Sequence, residues 1–138
     1  MKRTPPAPRE RVTRQRDAIE GAIAAAERPM SPGDVLARAR KTVNSLGLAT
    51  VYRNLKLLVA EGVVRVINLP GDSPRYEMAR TPHHHHFQCT TCQRVYDVPG
   101  CPGDLRHLAP RGFRVEHHDV TLYGRCPDCG KRDRRAAR

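Results

Sequence analysis

Four cysteines stand as two pairs, Cys89-x2-Cys92 and Cys126-x2-Cys129, with 33 residues between the pairs. A Cys-x2-Cys turn aims two thiolates at one point, and two such turns close a tetrahedral all-sulfur zinc site. Two disulfides are the competing chemistry. A disulfide inside a Cys-x2-Cys is usually redox-active rather than structural, and nothing in the chain marks it for export. The expectation is therefore a structural Zn2+ held by Cys89, Cys92, Cys126 and Cys129. The run His83-His84-His85-His86 ends three residues before Cys89. In an extended segment successive side chains point to opposite faces, so His83 and His85 share one face and His84 and His86 the other. One short strand then serves two further sites, with one metal folding the domain and another being sensed. The remaining ligands must come from elsewhere, and Glu77, Asp97, Cys101, Asp104, His117 and His118 are the candidates. His117 and His118 alternate in their turn, so one of them readily joins a given face. Nitrogen and oxygen donors suit zinc, iron(II), manganese or nickel, and spacing does not separate these.

The elements that must position these groups fall into two sets. A first helix is expected from near Thr13, with Ile19, Ala22, Ile23 and Ala26 at helical spacing, ending by Pro29. Ser31 is a good N-cap with Pro32 at the first helical position, which predicts a second helix to about Lys41. A third runs from about Leu48 to Glu61, with Leu48, Val51, Tyr52, Leu55, Leu58 and Val59 repeating at three and four, and Gly62 placed to end it. Val63–Leu69, a turn at 70–73 and Arg75–Met78 read as a hairpin. Three helices followed by a hairpin make a winged helix-turn-helix. Beyond it the pattern is mostly strand: about His84–Cys89, Val95–Val98 and Phe113–Leu122, with a short helix near Gly103–Leu108.

The fold class is thus α+β. Residues 1–78 form a winged-helix domain, of which 1–10 are a flexible basic arm. Residues 79–82 form a hinge, 83–130 a small α/β metal-binding domain, and 131–138 a disordered basic tail. At 138 residues with 38% hydrophobic content and no Trp, each core is thin, which fits a metal-stapled dimer. The net charge of +11 points to a polyanion. Residues 1–82 carry 15 Lys and Arg against 8 Asp and Glu, whereas 83–138 hold every His and Cys. The first set therefore reads as the nucleic-acid binder. No apolar run approaches a membrane span and no apolar core follows the basic N-terminus, so a cytoplasmic protein without a membrane partner is expected.

In a helix-turn-helix the second helix of the motif enters the major groove. Here its start is Thr50-Val51-Tyr52-Arg53-Asn54, where Thr50, Arg53, Asn54 and Lys56 face outward while Val51, Leu55 and Leu58 hold the core. Arg reads guanine, and an aromatic edge packs on a thymine methyl. Tyr52 lies on the apolar stripe and is ambiguous between core and groove. Arg11 and Arg14 stand where they can reach a neighbouring groove or phosphate.

Gly47-Leu-Ala-Thr-Val-Tyr-Arg53, the histidine run before Cys89-x2-Cys92, and Leu122-Tyr-Gly-x-Cys126-x2-Cys129 together resemble the ferric-uptake-regulator superfamily over about residues 10–130. The resemblance implies a homodimeric, metal-dependent transcriptional repressor on a palindromic DNA operator, with a C-terminal dimerisation domain. By position it makes Cys89, Cys92, Cys126 and Cys129 the structural zinc ligands. It makes Glu77, His84, His86 and Asp97 a regulatory site, and His83, His85, Asp104 and His118 an additional one. It also matches Tyr52 and Arg53 to DNA contacts and Arg11 to a basic minor-groove contact. A metal on Glu77, His84, His86 and Asp97 would bias the hinge. The chain departs from the family pattern where Pro29 or Met30 replaces a frequent regulatory histidine, where no cysteine follows the wing near Ala79, and where Cys101 adds a thiol. The regulatory cation is Zn2+ or Fe2+. Zinc is favoured slightly over iron, since Cys101 is a soft donor and the peroxide-type site lacks its histidine. Peroxide-, manganese- and nickel-responsive regulators are the alternatives, with a degenerate sensor that binds DNA constitutively beside them.

The rival class is a zinc hydrolase or deaminase, with Glu116 as its base. It would need an open metal position and a carboxylate acid/base. The chain contains no HExxH, and no H-x-E precedes a P-C-x-x-C.

Overall fold

The computed structural model describes residues 6–137. The chain falls into two compact units, one through Thr81 and the other from Pro82.

Unit 1 holds α1 (Pro8–Ala25), α2 (Pro32–Ala39), α3 (Leu48–Ala60), β1 (Val64–Ile67) and β2 (Arg75–Met78). The first helix begins at Pro8 rather than near Thr13, so residues 8–10 of the expected arm are helical, while 1–5 lie outside the described residues. Pro8 itself is the reason, because its fixed φ and missing N–H suit a first helical turn. Ser31 caps α2 as expected. Its hydroxyl accepts the Asp34 N–H at 3.1 Å while the Asp34 carboxylate reaches back to the Ser31 N–H, so two orphan donors are satisfied together. Gly62 ends α3 in the left-handed region, φ +73. The Val63 N–H bonds Leu58 C=O and the Gly62 N–H bonds Val59 C=O, which closes the last turn. Strands β1 and β2 pair antiparallel, Val64 opposite Met78, and Met30 bridges Tyr76 on the far side of β2. Ile19, Ile23, Val35, Leu46, Val51, Leu55 and Leu58 are sealed in one core. This is a winged helix. Residues 79–81 of the expected hinge are tied to it: the Ala79 N–H bonds Val63 C=O, and the Thr81 N–H and hydroxyl bond Met78 C=O.

Unit 2 is a small sheet ordered β4–β3–β5, from β3 (His85–Cys89), β4 (Val95–Val98) and β5 (Thr121–Gly124), followed by α4 (Pro127–Ala136). Strand β3 is central, antiparallel to β4 and parallel to β5. The expected strand over 113–122 is reduced to 121–124, and 113–120 forms no ladder among the described residues. Alternating polarity fits a strand, but a strand also needs a partner's N–H and C=O groups, and β3 is long enough to supply them only at the end of this segment. Gly103–Leu108 yields a single 3-10 turn at Arg106–Leu108. The tail expected over 131–138 is instead helical to Ala136, continuing from the second cysteine pair. The buried cluster of this unit is Cys89, Cys126 and Cys129 with Tyr96 packed against it. A core made of sulfur is a core only when something holds the sulfurs.

Candidate metal centres

The end of β3 and the turn into α4 bring Cys89, Cys92, Cys126 and Cys129 together, with all four Sγ atoms within 4.8 Å of one another. Cys92 Sγ and Cys126 Sγ are 3.9 Å apart. Backbone geometry favours the anion at Cys89 and Cys126. The Cys92 N–H, and then the Cys126 N–H that donates to Cys89 Sγ at 3.4 Å, pull the Cys89 thiol down to about 6. The Cys129 N–H and then the Tyr96 hydroxyl lower Cys126. Cys129, beside the Cys126 sulfur and buried, is pushed up to about 12. Four sulfurs this close cannot all ionise alone, and a dication at their centre removes that conflict. The donor set fits tetrahedral zinc. Two features bring the turns together. Gly124 lies opposite Cys89 in the register, and a Cβ there would sit 3.0 Å from the tip of the Phe87 ring, which would have to shift to admit it. Gln93, just after the first pair, takes a left-handed φ of +61 that its side chain makes unfavourable. Sequence reasoning missed Tyr96, whose aromatic ring beside a thiolate leaves no spacing signal.

The histidine run divides by parity. On one side His84, His86 and Asp97 each offer an atom within 4.8 Å of the others. His84 Nε2 is 3.3 Å and His86 Nε2 3.8 Å from Asp97 Oδ1, and His86 faces Asp97 across the β3–β4 ladder. His84 Nδ1 lies 2.6 Å from the Pro82 carbonyl, which can only accept, so the ring proton sits on Nδ1 and Nε2 presents a lone pair. That is the tautomer a metal requires. Glu77, in unit 1, is buried on β2, and Arg65 of β1 contacts its Oε1 at 2.6 Å.

On the other side stand His83, His85 and His118, with ring centroids 4.7 to 5.2 Å apart. Their fourth neighbour is Cys101, not the expected Asp104. Asp104 is engaged by Arg106, whose backbone N–H reaches Oδ1 at 2.9 Å and whose Nε reaches Oδ2 at 2.7 Å, holding the carboxyl at about 2. His117 is exposed and outside the group. His85 is only 2% exposed, and burial, then His83 and His118, lower it, which favours the neutral ring that a ligand needs.

On α3, Arg53 and Lys56 are exposed and Tyr52 is 52% exposed, which settles Tyr52 as a surface residue rather than core. Arg53 donates to the Thr50 hydroxyl at 3.2 Å. Arg11 lies exposed in the first turns of α1.

A winged helix joined to a sheet that carries a sulfur cluster and two histidine groups has the parts of a metal-responsive DNA-binding regulator. Residues 9–123 match the profile of the Ferric uptake regulator family, and the chain belongs to that family, whose members are transcriptional regulators and not enzymes. Transcriptional regulator FurA of Mycobacterium tuberculosis is 33% identical over 127 residues, covering 89% of this chain and 85% of that protein. The Peroxide operon regulator of Bacillus subtilis is 29% identical over 127 residues, covering 89% and 86%. Among solved structures a zinc-bound manganese uptake regulator is similar, with a TM-score of 0.69 at 25% identity over 81% of this chain and 87% of the other. The hydrolase and deaminase readings end here. No helix among the described residues is long and apolar enough to cross a membrane.

Proposed function

We propose that this chain is a zinc-responsive repressor that binds a palindromic operator as a homodimer in the cytoplasm. The observation that carries this reading is the separate His84–His86–Asp97 group beside the four-cysteine cluster: one centre suits folding, the other exchange. Cys89, Cys92, Cys126 and Cys129 hold the structural Zn2+, and His84, His86 and Asp97 hold the sensed cation. Glu77 is added as a further ligand on the family resemblance alone. When bound, the cation supplies a charge on which neutral imidazoles and a carboxylate converge. The chain's own contribution is to fix the His84 tautomer through Pro82 and to face His86 against Asp97. Any ligand acts on DNA binding only through its difference in affinity for the competent and incompetent arrangements, so the coupling falls at about 1–3 kcal/mol, or roughly 5–150-fold.

Zinc is favoured because a thiol stands among the imidazoles of the neighbouring group and because Pro29 or Met30, both buried, stands at the place of the frequent regulatory histidine. Five free thiols suit a reducing compartment. Dimerisation is supported by β5. It is an edge strand, Leu122 on it is 49% exposed, and Phe113 ahead of it is 73% exposed. Such an edge fits a second copy of this chain.

The test is one titration. Protein keeping its four-cysteine zinc, but stripped of weaker metal, is added to a labelled duplex selected from a random library, with Zn, Fe(II), Mn(II) and Ni(II) compared. Zinc should raise affinity at the lowest free concentration. A response to iron or manganese alone overturns the choice of metal, and no response to any of them overturns the metal-responsive reading in favour of a constitutive binder. Under saturating zinc, Arg53→Ala should weaken the same complex by about 1–3 kcal/mol and relax its sequence preference, as read by competition with altered duplexes.

A further inference from the structure

We propose that Cys101 is a metal ligand, completing with His83, His85 and His118 a centre of three nitrogens and one sulfur that takes zinc-class cations and rejects manganese. The inference rests on the metal-regulator reading but concerns a different centre of unit 2, and it gives a place to the extra thiol that the family pattern lacks.

The chain around Cys101 is shaped to deliver the sulfur. Gly100 and Gly103 bracket it with φ of +131 and +89, conformations that side chains rarely adopt. This turn folds the thiol back so that Cys101 Sγ lies 3.1 Å from His118 Nε2. The Gly103 N–H points at the same sulfur at 3.4 Å, as the Cys126 N–H points at Cys89 in the four-cysteine cluster. In both places a backbone N–H fixes where the sulfur stands. Tetrahedral zinc with nitrogen at about 2.0–2.1 Å and sulfur at about 2.3 Å places neighbouring donors roughly 3.5 Å apart. The four donors here, within 4.8 Å of one another, need only a modest contraction to reach that.

A second observation comes from His85, which is independent of the loop. Its Nδ1 accepts the Val120 N–H at 3.0 Å, and its Nε2 is buried with no hydrogen-bond partner. A buried imidazole nitrogen without a partner is costly unless something else meets it. With Nδ1 accepting, the neutral ring keeps its proton on Nε2. A cation taken there therefore requires the ring proton to pass to Nδ1 and the Val120 contact to open. Three imidazoles and a thiol are gathered with no carboxylate among them, because Asp104 is bound to Arg106. A thiolate with imidazoles selects zinc or cobalt, whereas a carboxylate in the same place would admit manganese.

The experiment uses the full chain with zinc kept in the four-cysteine cluster and Co2+ added as the probe. Wild type should show a thiolate-to-cobalt charge-transfer band that Cys101→Ser lacks, with cobalt retained more weakly on the histidines. Because the two proteins share the four-cysteine cluster, the difference spectrum isolates Cys101. Zinc affinity of the second centre should fall about 100-fold in Cys101→Ser, a scale on which even a ligand's hydrogen-bond partner acts. Cys101→Asp should narrow the preference for zinc over manganese. On loading, the Val120 amide resonance should move in wild type. Cys101 is exposed, so these variants should keep the four-cysteine zinc, which is counted on the same samples. Superimposable cobalt spectra of wild type and Cys101→Ser overturn the proposal, as does a Val120 amide that stays still while the metal binds. These readouts need no DNA. Metal-dependent operator binding can fail while they succeed, and the reverse, so the two readings fall separately.

Discussion

Cys126→Ser leaves unit 2 unfolded while unit 1 stays folded. The buried cluster of unit 2 consists of Cys89, Cys126 and Cys129 with Tyr96, and little apolar area stands behind it. Structural zinc contributes roughly 10–16 kcal/mol in zinc-finger peptides, more than a small domain has in reserve. Removing one of four sulfurs opens the tetrahedron and returns the conflict among the remaining three. Unit 1 has its own core around Ile19, Val51 and Leu58 and shares none of this chemistry. The expected result is a loss of bound zinc together with collapse of amide dispersion for the second unit only. Chelator strong enough to strip the four-cysteine cluster should reproduce it in the wild type. A Cys126→Ser protein that keeps a dispersed second unit would remove the claim that sulfur and metal hold it together.

His84→Ala combined with His86→Ala abolishes the metal-dependent gain in operator affinity, a loss of about 5–150-fold, and leaves the four-cysteine zinc in place. Both imidazole donors disappear, and carboxylates alone hold a borderline dication weakly against water. These residues make a cleaner test than Glu77, because Glu77→Ala would also strip Arg65 of its partner on the neighbouring strand. Affinity for the selected duplex is measured with and without zinc, and zinc per chain is counted beside it. Should the double variant still respond to zinc in full, sensing lies elsewhere, and the His83–His85–His118 group becomes the place to look. Should it lose its four-cysteine zinc, the division between a folding metal and a sensed one is wrong.

Much of the layout was legible in the chain because it is written in local signals. Ser31-Pro32 with Asp34 marks the start of α2, and Gly62 marks the stop of α3, since a cap or a left-handed turn depends on the few residues beside it. The hairpin β1–β2 follows from alternation and a turn. Errors gathered where a segment's state depends on a distant partner. The 113–122 stretch alternates well, but only its last residues find β3 to pair with. The basic tail looked polar enough to stay loose, yet α4 grows directly out of the cysteine turn, which supplies a nucleated first helical turn.

The sequence by itself determined that two Cys-x2-Cys turns can gather four sulfurs at one point, that the histidine run divides by parity, and that a basic winged helix precedes them. Each of these depends on spacing along one short segment, where the geometry of a turn, a strand or a helix leaves little choice. Only the tertiary structure placed Cys101, rather than Asp104, beside His83, His85 and His118. Asp104 and Cys101 stand within three residues of each other, and the family pattern favours Asp104. Arg106 captures the carboxylate and the Gly100–Gly103 turn brings the thiol round to His118. That outcome turns on how a loop closes onto a strand far off in the chain, which no local periodicity records.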